Sequence, residues 1–197
     1  MLQPSDQDRP RCQARRQQIL EAAATCFARA GFHGASIAQV SQAAGMSPGH
    51  IYHFFENKEA IIAALVERKL EHSLAMMRQF EHAEDVFQAL LDRVDIGLND
   101  KTNLDHAALE IEILAEAARN PRIAAIVRTA DVAMRDQVQR LFQSARRARG
   151  LSGEIDPAVT EVITALFDGL AARVINHPDL DRAALLPVLR SVLRALL

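Results

Sequence analysis

Apolar residues recur at helical spacing along nearly the whole chain, and no convincing run alternates at the period of two that marks a strand. Ile19, Ala22, Ala23, Cys26, Phe27 and Ala30 form a first stripe, preceded by Arg9, Arg11, Arg15 and Arg16. Two short elements follow, broken at Gly45. From Lys58 a longer helix is predicted to about Phe80, carrying Ile61, Ile62, Leu65, Val66 and Leu70 before Met76 and Met77. The next is predicted from about Glu84 through Val86, Phe87, Leu90, Leu91 and Val94 to near Asn99, and Asn103 or Asp105 starts another. Asn120–Pro121 and Asp156–Pro157 each combine an N-cap with a proline whose missing N–H costs nothing in a first turn. The first pair begins a helix toward Gly150 and the second a helix through Val174; after NHPDLD a last helix runs to Leu196. The prediction is an all-α fold with an N-terminal unit over 1–57 and a larger helical domain over 58–197, bridged by the helix at 58–80.

Residues 36–55, SIAQVSQAAGMSPGHIYHFF, fit two short helices joined by a tight turn. Such a unit needs a small residue where the helices cross, a turn residue that tolerates positive φ, and apolar residues at fixed offsets. Ser41 and Gly45 meet the first two needs, and Ile37, Val40, Ala44, Met46, Ile51 and Phe54 the third. Ser36 and Ser47 suit the two N-caps, with Pro48 at the first helical position. His50 and His53 then point away from the apolar set, beside Tyr52, whose hydroxyl suits a phosphate contact. Asn57 suits the cap of the following helix, which puts Lys58 in a first turn where the helix dipole disfavours a cation unless an anion is present. An ordinary helix pair in a bundle also carries a glycine turn and caps. The agreement of many offsets favours a DNA-reading helix-turn-helix.

On these residues the segment 14–69 resembles the DNA-binding domain of the tetracycline-repressor (TetR/AcrR) family of bacterial one-component regulators. The matching runs are ILEAAATCFARAGFHGAS (19–36) and IAQVSQAAGMSPGHIYHFFENKEAI (37–61), with Gly31, Gly45, Gly49, Tyr52, Phe55 and Lys58 in register. The resemblance implies a homodimer whose recognition helices enter successive major grooves of a pseudo-palindromic operator. It implies repression of a nearby promoter until a small molecule enters the C-terminal domain. Family members contact DNA through the positions here held by Pro48, Gly49, His50, Tyr52, His53 and Lys58, and the caps Ser36 and Ser47 belong to the same expected surface. Pro48 and Gly49 bring no side-chain donor to a base edge, so sequence reading would lean on His50, backbone fit and DNA shape. Efflux control and control of fatty-acid or other metabolite genes both remain open.

Composition changes this picture little. The chain of 197 residues is 49% hydrophobic and 24% charged, enough for one DNA-binding unit and one larger domain. Its net charge of −2 conceals an asymmetry: residues 1–58 hold 6 Lys and Arg against 4 Asp and Glu, and the remainder 17 against 21. No stretch approaches a membrane span and MLQPSDQDRPR has no hydrophobic core after its charges, so a cytoplasmic protein is expected. Cys12 and Cys26, if on one continuous helix, stand about 21 Å apart, beyond disulfide reach.

The last two helices form an αα-hairpin with Val159, Val162, Ile163, Leu166, Phe167, Leu170 and Val174 on one member and Leu185, Val188, Leu189, Val192, Leu193 and Leu196 on the other. In the family such a pair packs against its copy; alternatively both stripes close the monomer core. Along 104–118, Leu104, Ala107, Ala108, Ile111, Leu114, Ala115 and Ala118 make one face while Leu109 and Ile113 point nearly opposite, so this helix should be enclosed. Glu110 and Glu112 between those flanks need a partner, either an internal arginine such as Arg119 or Arg122 or a cationic ligand. The expected effector pocket is apolar, lined by Met76, Phe80, Phe87, Leu91, Ile113, Met134, Phe142 and Phe167, with Glu112 selecting positive charge.

An enzyme finds little support: there is no glycine-rich phosphate loop after a strand, no nucleophile elbow and no carboxylate pair in a recognisable strand-loop context. His50 and His53, three apart, could share a metal, but no cysteine or carboxylate ligand is near in sequence, so neither a metal nor a cofactor is expected. A helical adaptor without DNA binding is the alternative of a different class. The retention of Tyr52 and Lys58 speaks against it.

Overall fold

The computed structural model describes residues 8–80 and 83–197; the side chain of Arg9 and the whole of His82 lie outside them. The described residues form ten helices and no strand: α1 (Asp8–Gly34), α2 (Ile37–Ala43), α3 (Pro48–Phe54), α4 (Lys58–Arg78), α5 (Val86–Asp92), α6 (Val94–Lys101), α7 (Leu104–Ala117), α8 (Pro121–Ala148), α9 (Pro157–Asn176) and α10 (Arg182–Leu196).

Local chemistry accounts for most of the boundaries. Asn57, Asp85, Asn103, Asn120, Asp156 and Asp181 each accept a first-turn N–H in a side-chain cap, which satisfies a donor the helix cannot pair itself. Pro121 and Pro157 stand directly after two of these caps, where a proline sacrifices no helical hydrogen bond. The bridging helix ends at Arg78, slightly short of the expected Phe80. The single helix expected from about Glu84 to Asn99 is two, capped by Asp85 and broken at Arg93 (φ −109°, ψ 14°). That break turns Leu91, Val94 and Leu98 together into the core, at 2, 6 and 1% exposure.

Two apolar cores result. The first joins Ile19, Ala23 and Phe27 of α1, Val40, Ile51 and Phe55 of the helix-turn-helix, and Ile61, Ile62 and Leu65 of α4; it also takes in Ile113 of α7 and Ile123 of α8. Each large side chain so enclosed contributes about 1.5–3 kcal/mol relative to exposure. The first half of α4 is therefore built into the N-terminal core, past the boundary at residue 57. The second core joins α5, α6, α8, α9 and α10 through Leu91, Leu98, Val138, Phe142, Ile163, Leu170 and Leu189.

The hairpin stripe is divided between two roles. Ile163, Leu170, Val174, Leu189 and Leu193 are buried within the chain, so the monomer core claims them. Val162 and Val188 stand out at 60 and 58% exposure, with Leu166 and Ile175 also exposed. Val159, Leu185, Val192 and Leu196 are half-buried between these sets, and Phe167 turns inward toward a cavity.

Candidate DNA-reading unit and internal cavity

The turn between α2 and α3 is held from several sides. Ser36 and Gln39 form a reciprocal capping box: Ser36 Oγ accepts from the Gln39 N–H at 3.2 Å, and Gln39 Oε1 from the Ser36 N–H at 2.7 Å. Gly45 has φ 62°, the left-handed region a side chain disfavours, and the Met46 N–H then donates to the Ser41 carbonyl at 2.9 Å. Ser41 is buried at 4% exposure, as the close helix crossing requires. Gln18 of α1 donates to the Ala44 carbonyl at 2.8 Å, a brace the sequence pattern did not reveal because its partner is a backbone atom 26 residues away.

Ser47 Oγ accepts from the His50 N–H at 3.3 Å and starts α3. Ile51 is fully enclosed on the inner side of that helix, while Tyr52 is 55% exposed. Pro48, Gly49, His50 and His53 are exposed, as are the caps Ser36 and Ser47. The His50 and His53 rings lie 6.4 Å apart, each stacked at an angle against Phe54 at 5.4 and 5.3 Å. At the far end of α3 the Arg16 guanidinium sits 5.3 Å from the Phe55 ring centroid, which brings part of the arginine cluster of α1 to the same unit.

Lys58 departs from this exposed ridge. Its Nζ donates to the Ala35 carbonyl at 2.7 Å and lies 4.5 Å from the Phe32 ring centroid. Burial pushes its pKa down from the ordinary lysine value, against the opposing influence of Glu116. In this conformation the ammonium ties α4 to the α1–α2 junction, with donor capacity left over because an ammonium carries three N–H bonds.

Behind this unit, α4, α6, α7, α8 and α9, with Leu90 of α5 and Leu193 of α10, wall a partly open cavity of about 380 Å³. Met76, Phe80, Ile113, Met134, Phe142 and Phe167 line it, as the sequence pattern suggests. Phe87, Leu91 and Glu112 do not. Phe87 lies under the Arg149 guanidinium at 4.6 Å, and Leu91 is packed into the second core. Glu112 is on the other side of α7, where its Oε2 accepts the Phe32 N–H at 3.0 Å. This corrects its expected role as the pocket's charge selector.

Of the two glutamates, Glu110 is the one that faces the cavity. Neither expected arginine serves it; Arg119 lies 3.7 Å from Glu116, and Arg122 lies 3.7 Å from Glu59. Lys69 of α4 holds Glu110 Oε2 at 2.5 Å, and Lys101 of α6 holds Oε1 at 2.9 Å while also reaching Asp168 of α9 at 2.6 Å. Burial raises the Glu110 pKa, but the two ammonium groups outweigh it and leave the carboxyl below its ordinary value. The same chain of charges leaves Lys101 above its ordinary value despite burial. Pairs such as Lys69 with Glu110, 41 residues apart, carry no local sequence signal. A shallower groove of about 330 Å³ lies elsewhere, between α4 and α8, with Arg78, Asp136 and Arg140 on its walls.

The C-terminal half of α7 faces the DNA-reading unit. Glu116, 3% exposed, has His33 Nε2 2.9 Å from its Oε2, a close approach without hydrogen-bond alignment, and accepts from Asn120 Nδ2 at 3.2 Å. Asn120 also donates to Glu59 of α4 at 2.8 Å.

A capped helix-turn-helix with an exposed aromatic and imidazole ridge, backed by a helical domain, defines a DNA-binding transcriptional regulator. The sequence profile for bacterial regulatory proteins of the tetR family matches residues 19–65, and that for the C-terminal part of BetI-type transcriptional repressors matches residues 94–197. The HTH-type transcriptional regulator UidR of Escherichia coli is 32% identical over 178 residues, covering 87% of each chain. Among solved structures, Salmonella enterica GusR superposes with a TM-score of 0.76 at 27% identity, covering 93% of this chain and 95% of that one. FadR from Bacillus subtilis, in complex with stearoyl-CoA, gives 0.77 at 18% identity, covering 90 and 96%. The chain belongs to the TetR family of bacterial transcriptional regulators.

Proposed function

We propose that the chain is a homodimeric repressor released from a pseudo-palindromic operator by a small apolar or amphiphilic effector that enters the cavity. One observation carries the reading: the helices that wall the cavity also hold the DNA-reading unit. The first half of α4 lies in the N-terminal core and its second half lines the cavity. Along α7, Glu110 and Ile113 face the cavity while Glu112 binds the end of α1. A ligand shifts an equilibrium only by its differential affinity for the two states. An effector that wedges α4 from α7 would therefore favour whichever placement of α3 that separation imposes.

In the DNA-bound form the two copies of α3 would stand about 34–36 Å apart, one turn of the duplex. The ridge of Pro48, Gly49, His50, Tyr52 and His53, flanked by the caps Ser36 and Ser47, is the surface offered to the major groove. Lys58 braces that surface from behind. The exposed Val162, Leu166 and Val188 on α9 and α10 supply the apolar face for the second copy. No helix among the described residues is long and apolar enough to cross a membrane, consistent with action on DNA in the cytoplasm.

Operator titration tests the reading. The purified chain should bind fragments of its own promoter region as a dimer at low salt, and an occupant of the cavity should weaken that binding. Absence of preference for any such fragment would remove the regulator mechanism proposed for this ridge.

A further inference from the structure

Resting on the effector-cavity reading above, we infer that the ligand is an anionic amphiphile, with its acid group held by Arg93 and Gln79 and its apolar body lying along α4. Four carboxylates line the cavity, and three already have a cationic partner: Glu110 has Lys69 and Lys101, Asp168 has Lys101, and Asp131 has Arg135 at 3.0 Å; Asp100 meets the His106 ring at 3.0 Å. A cationic ligand would have to share a carboxylate that a basic side chain already holds.

The cations differ. Lys69 and Lys101 are taken up by Glu110 and Asp168, whereas Arg93 has no acidic partner among the described residues. Among the described residues its guanidinium meets only the Gln79 carboxamide oxygen, at 3.4 Å. That contact leaves most of the five guanidinium donors open and leaves the Gln79 amide N–H groups free to join them. A planar fork of this kind matches a carboxylate or a sulfonate and favours the bidentate, charge-assisted geometry. Arg93 can occupy this place because α5 and α6 break there.

The arrangement also sets ligand shape. Gln79 lies ten residues beyond Lys69 along α4, so the Arg93 end and the Lys69–Glu110 pair stand about 15 Å apart along the helix axis. Met76, Phe80, Met134 and Phe142 line the cavity wall, and methionine adapts to apolar bodies of varied outline. A ligand with one acid group and an elongated apolar body fits both ends without disturbing the Glu110 network.

The test uses the full-length protein with N-phenyl-1-naphthylamine as a neutral fluorescent occupant, displaced by decanoate, 1-decanol or decyltrimethylammonium. Decanoate should displace it at roughly one-tenth the concentration of decyltrimethylammonium, the difference expected for one charge-assisted pair. Arg93→Gln should raise the decanoate concentration roughly tenfold and leave 1-decanol unchanged, with operator binding confirming the fold. Equal or better displacement by decyltrimethylammonium, or indifference of decanoate to Arg93→Gln, overturns the inference while the cavity reading stands. If the neutral probe does not bind, or if the cavity-filling Ala130→Phe variant binds it as well as the wild type, the cavity reading falls and this inference with it.

Discussion

The backbone N–H of Phe32 donates to Glu112 Oε2 at 3.0 Å, joining the end of α1 to the middle of α7 across 80 positions of chain. Two residues earlier on α7, Glu110 faces the cavity and binds Lys69 of α4. Positions two apart on a helix are rotated by about 200°, so adjacent carboxylates of one rigid element serve opposite surfaces. On the proposed mechanism, a displacement of α7 at the cavity would be applied to the base of the DNA-reading unit.

Removing the acceptor should therefore weaken both stability and coupling. Glu112→Ala leaves the Phe32 N–H without its partner in a partly buried place, at a cost of about 1–3 kcal/mol. Glu112→Gln keeps an acceptor oxygen and should lose much less. Denaturant midpoints would compare the two, and operator titrations with and without a cavity occupant would show whether the alanine variant responds less. An alanine variant as stable and as responsive as the wild type would strip this contact of its role.

Gly31 makes the contact possible. Its φ of 73° and ψ of 163° lie in a region open essentially to glycine, and a Cβ there would stand 3.4 Å from Glu112 Oε2. Gly31→Ala should cost about 1–3 kcal/mol from backbone strain. Urea unfolding should show a lower midpoint at unchanged slope; an unmoved midpoint would mean that the junction relaxes freely.

Lys58→Met separates two roles for this residue. It retains the apolar stem beside Phe32 but removes the hydrogen bond to the Ala35 carbonyl. As a brace, Lys58 should yield a less stable protein, by about 1–2 kcal/mol, whose operator affinity keeps its full salt dependence. A phosphate contact would instead reduce the slope of log K against log salt by about one. The slope is the deciding readout.

The legible part of the structure was local. Ser36, Gly45, Ser47 and Asn57 announced the helix-turn-helix because caps and left-handed turns are satisfied within a few residues. Of the apolar side chains expected along the pocket, Met76, Phe80, Met134 and Phe142 line the cavity whereas Phe87 and Leu91 do not. Glu110 and Glu112 were singled out together as buried acids, but which of them meets the cavity depends on the angle at which α7 packs, a tertiary fact without a periodic signature. The same holds for Lys58, whose inward turn depends on where the Ala35 carbonyl lies after the α1–α2 junction has formed. The break at Arg93 has no local signal, because residues 89–96 contain neither glycine nor proline and keep helical spacing on both sides.

Val162 and Val188 are too exposed to stabilise a monomer, and the proposed dimer explains them. Val162→Glu with Val188→Glu should shift sedimentation from dimer to monomer and leave the helical signal intact, because neither side chain is in a monomer core. Operator affinity should fall steeply, since half-sites would then be bound independently. An undisturbed dimer would move the interface to another face.

Acid sensitivity should trace to Glu110. Its folded pKa lies below the unfolded value of about 4.3, so the native state binds fewer protons than the unfolded chain between those two values. The stabilisation is then complete above the unfolded pKa and disappears as pH falls through the folded one. Lys101 acts at the opposite limit: its raised pKa preserves its contribution at every pH below about 10.4 and loses it only as pH rises through the folded value. At neutral pH both charges are present. Glu110→Gln should therefore destabilise the protein by about 1.5–3 kcal/mol at pH 7, the scale of hydrogen bonds to charged groups. Below about pH 4.3 the wild type should lose that advantage as the carboxylate takes up its proton. Urea midpoints for both proteins at pH 7, 4 and about 2.5 would show the gap unchanged down to the unfolded pKa and narrowing below it. A gap that stays constant over this range would show that the Lys69–Glu110–Lys101 chain is held by shape and neutral hydrogen bonding, with no contribution from its charges.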